Sequence, residues 1–225
     1  MTKKANYYLS SSLSLGWDNN SQLDKERLEL INKFTLGKKV LDVGCGYGLY
    51  VDYLSRQGFD ATGLDFVSEF IKTARETKKG SFFKGRAEKI PLDDNFFDTI
   101  FLFDILEHGE DIRILKEAKR VSKGRILMIV PRKVDSQLEK SGVIFRHYLD
   151  KSHIREYEKQ DIEKLARETN LKLTHIQTVH PLYNETIFLS LFDGPIFLKK
   201  LIRKMVFLLL PKKNYPTEYF AVLDK

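Results

Sequence analysis

From residue 38 onward the apolar positions fall alternately into short continuous runs and into segments of helical period. Lys39 to Val43, Ala61 to Asp65, Phe82 to Lys84, Phe97 to Phe103 and Arg125 to Val130 read as five strands, the third weak and the fourth strong. Between them the spacing predicts a helix over Leu49 to Gln57 closed by Gly58, one carrying Phe70, Ile71 and Ala74, and one from about Asp111 to Val121. Strands and helices alternating at this interval argue for βαβ units on a parallel sheet. The fourth and fifth strands are almost wholly apolar, as a sheet covered on both faces requires. A helix over about Lys159 to Thr169, a strand over Leu171 to Val179 and a closing strand over Glu218 to Leu223 complete the pattern. The fold class is α/β, doubly wound.

Two segments stand outside this alternation. Residues 1–36 form an N-terminal helical cap. There Ser21, followed by Asp24-Lys25-Glu26 and by Leu23, Leu28, Ile31 and Phe34, predicts a capped amphipathic helix that Gly37 stops. The stretch of about 183–216 interrupts the last two strands. Within it Leu198, Leu201, Ile202, Met205, Leu208 and Leu209 share one helical face, and Lys199, Lys200, Arg203 and Lys204 the other.

Composition narrows the classes. In 225 residues, 42% hydrophobic with 16 Phe and 10 Tyr, there is ample material for a buried core and no case for disorder. One cysteine, Cys45, excludes an internal disulfide and any multi-cysteine zinc site. The N-terminal lysines precede a stretch too polar for a signal peptide, and no window reaches the ~20 apolar residues of a membrane span. The expected location is cytoplasmic, with a membrane-peripheral variant. The formal net charge is +7, and Lys199, Lys200, Arg203, Lys204, Lys212 and Lys213 account for six of it with no acid from Pro195 through Lys213. The rest of the chain is near neutral, which argues against general nucleic-acid binding. The insertion is expected to touch an anionic membrane, a greasy substrate or a neighbouring surface. Oligomeric state is not legible.

The chemistry gathers at strand ends. Gly44-Cys45-Gly46-Tyr47-Gly48 follows the first strand, where a doubly wound sheet binds its ligand. Leu49 occupies the place of the third glycine of a dinucleotide fingerprint, which leaves a nicotinamide oxidoreductase as the weakest rival reading. Asp42, two residues before the loop, opposes a pyrophosphate and suits a cationic group. Asp65, ending the second strand, can accept both hydroxyls of a ribose. A ribose, a cationic end and no phosphate describe S-adenosyl-L-methionine. Cys45, between glycines and without an evident base, reads as a small loop residue.

Val40-Leu41-Asp42-Val43-Gly44-Cys45-Gly46-Tyr47-Gly48, Gly63-Leu64-Asp65, Gly85-Arg86-Ala87-Glu88-Lys89-Ile90-Pro91-Leu92 and Phe97-Asp98-Thr99-Ile100 to Leu106-Glu107-His108 resemble, in order, the motifs of the class I S-adenosylmethionine-dependent methyltransferases. The likeness is to the ubiquinone and menaquinone biosynthesis branch and covers roughly residues 38–180. It implies a Rossmann-like, mostly parallel seven-stranded sheet with an antiparallel last strand over residues 37–225. It implies a methyltransferase whose cofactor contacts are Asp42, Gly44, Cys45, Gly46, Gly48, Asp65, Phe66, Ala87, Glu88 and Asp104. Arg86 departs from the pattern, standing where the family carries an acid, so the adenine contact passes to Ala87 and Glu88.

Candidate bases lie in Asp104 to His108 and in His147 to Tyr157, with His108 and His153 as the catalytic candidates. The Asp-x-x-Glu-His spacing resembles a metal-ligand set of some O-methyltransferases, but no metal is assigned. The leading expectation is methyl transfer to a small-molecule or lipid-like acceptor, at oxygen in preference to carbon or nitrogen. RNA or protein methylation, and a non-catalytic cofactor-binding module, stand as alternatives.

Overall fold

The strands that the apolar runs predict are all present, and they hydrogen-bond in the order β3-β2-β1-β4-β5-β7-β6. The computed structural model describes residues 3–14, 22–134, 150–183, 195, 197–198, 201–202, 205 and 214–225. In chain order the elements are α1 (Lys3–Ser14), α2 (Lys25–Phe34), β1 (Lys39–Val43), α3 (Leu49–Arg56), β2 (Asp60–Asp65), α4 (Ser68–Thr77) and β3 (Ser81–Lys84). Then come β4 (Phe97–Phe103), a 3₁₀ turn (Leu106–His108), α5 (Asp111–Val121), β5 (Ser122–Pro131), α6 (Lys159–Glu168), β6 (Lys172–Tyr183) and β7 (Asn214–Asp224). Strands β1 to β5 pair in parallel, and β7 runs antiparallel to both β5 and β6. The chain winds outward from β1 through β2 to β3, then crosses back to β4 and β5. The carboxyl ends of β1 and β4 therefore flank the switch point where a doubly wound sheet opens its crevice.

The two-residue period of the strands divides the core. Leu41, Ile100, Leu102, Ile126 and Met128 face α5 and α6, packing on Leu115, Ala118, Ile162 and Leu165. Val40, Phe101, Leu127, Ile129 and Phe220 face the other way, onto Ile31 of α2, Leu54 of α3 and Ile71 of α4. Each fully buried side chain of this size contributes about 1.5–3 kcal/mol from removal of apolar surface from water.

Four boundaries differ from the sequence reading. The cap of α2 is Asp24, whose carboxylate accepts from the Arg27 N–H at 2.8 Å; Ser21 lies outside the described residues. The polar N-terminal stretch forms α1, whose Ala5 and Tyr8 are buried against Val67 and Phe70. Strand β5 starts at Ser122 and runs through Gly124. Strands β6 and β7 extend to Tyr183 and back from Asn214, so the insertion spans 184–213. Pro181 is tolerated because β6 is the edge strand, and Pro216 opposite it lies past Glu218, where the pairing of β7 with β5 stops. Of the insertion's apolar residues, Phe197, Leu201 and Met205 are helical and exposed, at 72%, 56% and 56%. Its Lys199, Lys200, Arg203, Lys204, Lys212 and Lys213, with Leu208 and Leu209, lie outside the described residues.

Candidate active site

A cleft of about 1080 Å³ opens over the switch point. Its floor is the turn between β1 and α3. Gly44, Gly46 and Gly48 all have positive φ, at 82°, 52° and 78°. A Cβ at Gly44 would strike Ile105 at 1.9 Å and one at Gly48 would strike Phe82 at 2.5 Å, whereas one at Gly46 would meet nothing within 4 Å. The first and third glycines thus permit close packing, and the middle one leaves the turn open toward the cleft. The amides of Gly44 and Cys45 both donate to the Leu64 carbonyl, at 2.7 and 3.1 Å, which pins the turn to β2. Cys45 is buried, and burial with the nearby carboxylates of Asp42 and Asp65 pushes its thiol well up. A thiol held protonated this way is a packing group.

Asp42 and Asp65 end adjacent parallel strands and are 6% and 9% exposed. Burial, then the charge of Asp65, raises Asp42 to about 7, with Arg27 acting against both. Burial raises Asp65 to about 6, although its oxygens accept the Gly46 N–H at 3.0 Å and the Val67 N–H at 2.8 Å. Two carboxylates forced upward in one cleft mark a place that takes a cation or hydrogen-bond donors. Phe66, Ala87, Glu88 and Asp104 line the same cleft, as the sequence expects. Arg86 reaches Glu88 at 3.2 Å on the rim.

Arg27 and His180 were not anticipated. Arg27, on α2, places Nη2 2.6 Å from Asp104 and 3.4 Å from Glu218, with its guanidinium over the Phe103 ring. Its position was signalled, because Arg27 shares the helical face of Ile31 and Phe34, the face α2 buries. His180 lies one residue beyond the predicted end of β6. Its Nδ1 bonds Glu218 and its Nε2 lies 3.0 Å from Asp24. Burial lowers its pKa, but Glu218 and Asp24 outweigh this and push it up to about 9. This network fastens α2 to β4, β6 and β7 across the cleft mouth.

The two candidate histidines, 45 residues apart in sequence, are in contact. The rings of His108 and His153 lie edge to face, their centroids 4.6 Å apart, and both line the cleft. The 3₁₀ turn after β4 carries Glu107, 0% exposed, with neither carboxylate oxygen hydrogen-bonded among the described residues. Burial and Asp104 drive its pKa well above the ordinary range. His153 Nε2 lies 3.9 Å from Glu107 and 3.7 Å from Asp150. Burial lowers the pKa of both histidines, to about 4 for His108, so both rings are neutral at pH 7. Glu107, His108 and His153 each bring one potential ligand atom within 4.8 Å of the others, a span a cation could bridge. His147 lies outside the described residues.

Residues 41–129 match a family model described as a methyltransferase domain, and this stretch holds β1 to β5 with every glycine and acid of the cleft floor. These residues are a methyltransferase domain. The chain is 37% identical over 84 residues to a ubiquinone biosynthesis O-methyltransferase of Photorhabdus laumondii, covering 33% of this chain and 34% of that protein. It is 28% identical over 118 residues to the protein of the same name from Rickettsia bellii, covering 49% of each. The matches therefore span half or less of those relatives. Among solved structures, a SAM dependent methyltransferase from Archaeoglobus fulgidus superposes with a TM-score of 0.67 at 17% identity, over 97% of this chain and 99% of that one. Magnesium protoporphyrin IX methyltransferase from Synechocystis, solved with bound SAH, superposes with a TM-score of 0.60 at 12% identity, over 99% and 100%. At these identities the structural likeness establishes the class I methyltransferase fold alone.

Proposed function

We propose that the chain transfers a methyl group from S-adenosylmethionine to a small-molecule or lipid-like acceptor, at oxygen. The observation that carries this reading is one cleft in which the glycine turn and the raised carboxyls of Asp42 and Asp65 face two neutral imidazoles. The residues fit the cofactor. The open face at Gly46 leaves room for a chain lying against the turn, and Asp42 supplies the charge that a cationic amino end requires. The Asp65 oxygens accept from the Gly46 and Val67 N–H groups and keep lone pairs for ribose hydroxyls. Gly44, Cys45, Gly46, Gly48 and Asp104 would border the methionine end, Phe66 the ribose, and Ala87 and Glu88 the adenine. Bound there, S-adenosylmethionine supplies an electrophilic methyl.

The chain's own task is to orient an acceptor and take up its proton. His108 and His153 are the bases within the cleft. The name of the relatives, ubiquinone biosynthesis O-methyltransferase, supports oxygen as the acceptor atom. Nine acids line the cleft against two arginines among the described residues, an environment hostile to a polynucleotide. The exposed row Phe197, Leu201 and Met205 supports a lipid-like acceptor and peripheral membrane contact through 196–213. No helix among the described residues is long and apolar enough to cross a membrane.

Calorimetry with S-adenosylmethionine, followed by turnover against hydroxylated aromatic and lipid-like acceptors, tests the reading. Binding should weaken about 10²-fold in Asp65→Ala, through loss of charge-assisted hydrogen bonds. Absence of binding, or binding indifferent to that substitution, overturns it.

A further inference from the structure

The loop expected to hold the adenine has no strand of its own to steady it. Gly85 follows β3, and its N–H donates to the Asp65 carbonyl at 3.0 Å, which ties the start of the loop to the end of β2. Arg86 and Lys89 then close a narrow turn, the Lys89 N–H donating to the Arg86 carbonyl at 3.1 Å. Ala87 and Glu88 form its tip and line the cleft. A Cβ at Gly109 would lie 2.9 Å from Glu88 Oε1 and 3.0 Å from Ile114 Cδ1, so Glu88, Gly109 and Ile114 come together at this end of the cleft.

The other anchorage of the loop is on α5, the helix that carries Ile114. Glu117 and Arg120 lie one turn apart there, and Nε and Nη2 of Arg120 reach Oε1 and Oε2 of Glu117 at 3.0 and 2.9 Å. Together they take both backbone groups of the buried Ile90. Its N–H donates to Glu117 Oε2 at 2.9 Å, and its carbonyl accepts from Arg120 Nη2 at 2.7 Å. Arg120 Nη1 adds the Leu92 carbonyl at 3.0 Å and the Asp94 carboxylate. Neither Glu117 nor Arg120 lines the cleft, so both act through the loop.

From this arrangement we infer that Arg120, with Glu117, is a positioning residue for the adenine end: it fixes the tip at Ala87 and Glu88 and so sets how selectively the base is held. A guanidinium can do this because it presents its donors in a planar fork to two carboxylates and two carbonyls at once. A lysine ammonium is a point charge with three donors on a flexible stem. Arg120 also holds the Glu117 carboxyl below the usual carboxylate range, so the pair stays charged near neutrality. The inference rests on S-adenosylmethionine as the ligand of the cleft and adds which residues outside the cleft select its base. Adenine and hypoxanthine differ at one edge, where an amino donor becomes a carbonyl acceptor. A carboxylate held in place at Glu88 favours the first and repels the second.

Calorimetric titration of the full chain with S-adenosylhomocysteine and with S-inosylhomocysteine, its hypoxanthine analogue, tests this. The unmodified protein should prefer the adenine form about tenfold, the worth of one well-placed hydrogen bond. Arg120→Lys should weaken S-adenosylhomocysteine by about that factor, leave the hypoxanthine form nearly unchanged, and raise the KM for S-adenosylmethionine with kcat unaltered. Glu117→Gln is milder, because its amide oxygen still accepts from Ile90, and should lose about threefold of the preference. A general loss of folded protein lowers the titrated stoichiometry and kcat and does not move base preference. No base preference in the unmodified protein overturns the inference. So does a full preference retained in Arg120→Lys, or in Glu117→Gln should the lysine variant not fold. If the unmodified protein binds neither compound, the cofactor reading itself falls and takes the adenine role with it, an outcome read without any variant.

Discussion

At the scale of single residues, the cleft is governed by carboxyl groups held at the wrong pKa for an empty site. Asp42 at about 7 and Asp65 at about 6 are partly protonated near neutrality because burial penalises their charge. A cation entering the cleft favours the ionised forms, so binding must expel protons. The sign follows: S-adenosylmethionine affinity should rise with pH, about tenfold between pH ~6 and ~8, as Asp42 ionises. Calorimetry at several pH values checks this, and Asp42→Asn should flatten the dependence while weakening binding throughout. The identities of Asp42, Asp65 and the three glycines were legible because each sits at a strand end or turn that the local pattern defines. Arg27 was legible only in part. Its helical phase placed it inward, but nothing local named Asp104, 77 residues away, as its partner.

At the scale of elements, α2 and the β6–β7 pair close the cleft mouth through His180. That imidazole bridges Glu218 on β7 and Asp24, the cap of α2, and its N–H also donates to Glu26 at 2.8 Å from the main chain. Its pKa is raised from 6.5 to about 9 in the folded protein. A raised imidazole contributes stability that is complete below the unfolded pKa and is lost as pH rises through the folded one. Urea unfolding should therefore show a loss of about 2–3 kcal/mol between neutral pH and pH ~10, absent in His180→Gln. Helices α3, α4 and α5 and strand β4 follow directly from periodicity. Strands β6 and β7 outran the prediction because antiparallel pairing carries them past their apolar cores to Tyr183 and Asn214.

At the scale of the whole molecule, α1 packs as a patch apart from the two faces of the sheet, through Ala5 and Tyr8 on Val67 and Phe70. A patch of few contacts can open without unfolding the rest. Tyr8→Ala should leave the main thermal transition nearly unchanged while amide exchange in α1 accelerates markedly and cofactor affinity falls. Hydrogen exchange and calorimetry on the same variant test the two together. The charge distribution also belongs to this scale. A chain of net charge +7 has an acid-rich cleft, so bulk charge says little about what the site accepts.

The fold class, the order of strands and helices, the glycine turn and its flanking acids were determined by sequence alone, because strand alternation, helical period and turn chemistry are local and each residue carries its own signal. The sequence also supplied His108 and His153 as separate candidates. Only the tertiary structure brought their rings to 4.6 Å, set Asp150 and Ser152 beside them, and laid α1 and Arg27 across the cleft. Those relations join residues as far apart as Arg27 and Glu218, 191 positions, and depend on how βαβ units stack into one sheet. No spacing along the chain encodes them, since it is the packing of the core that decides which surface residues meet.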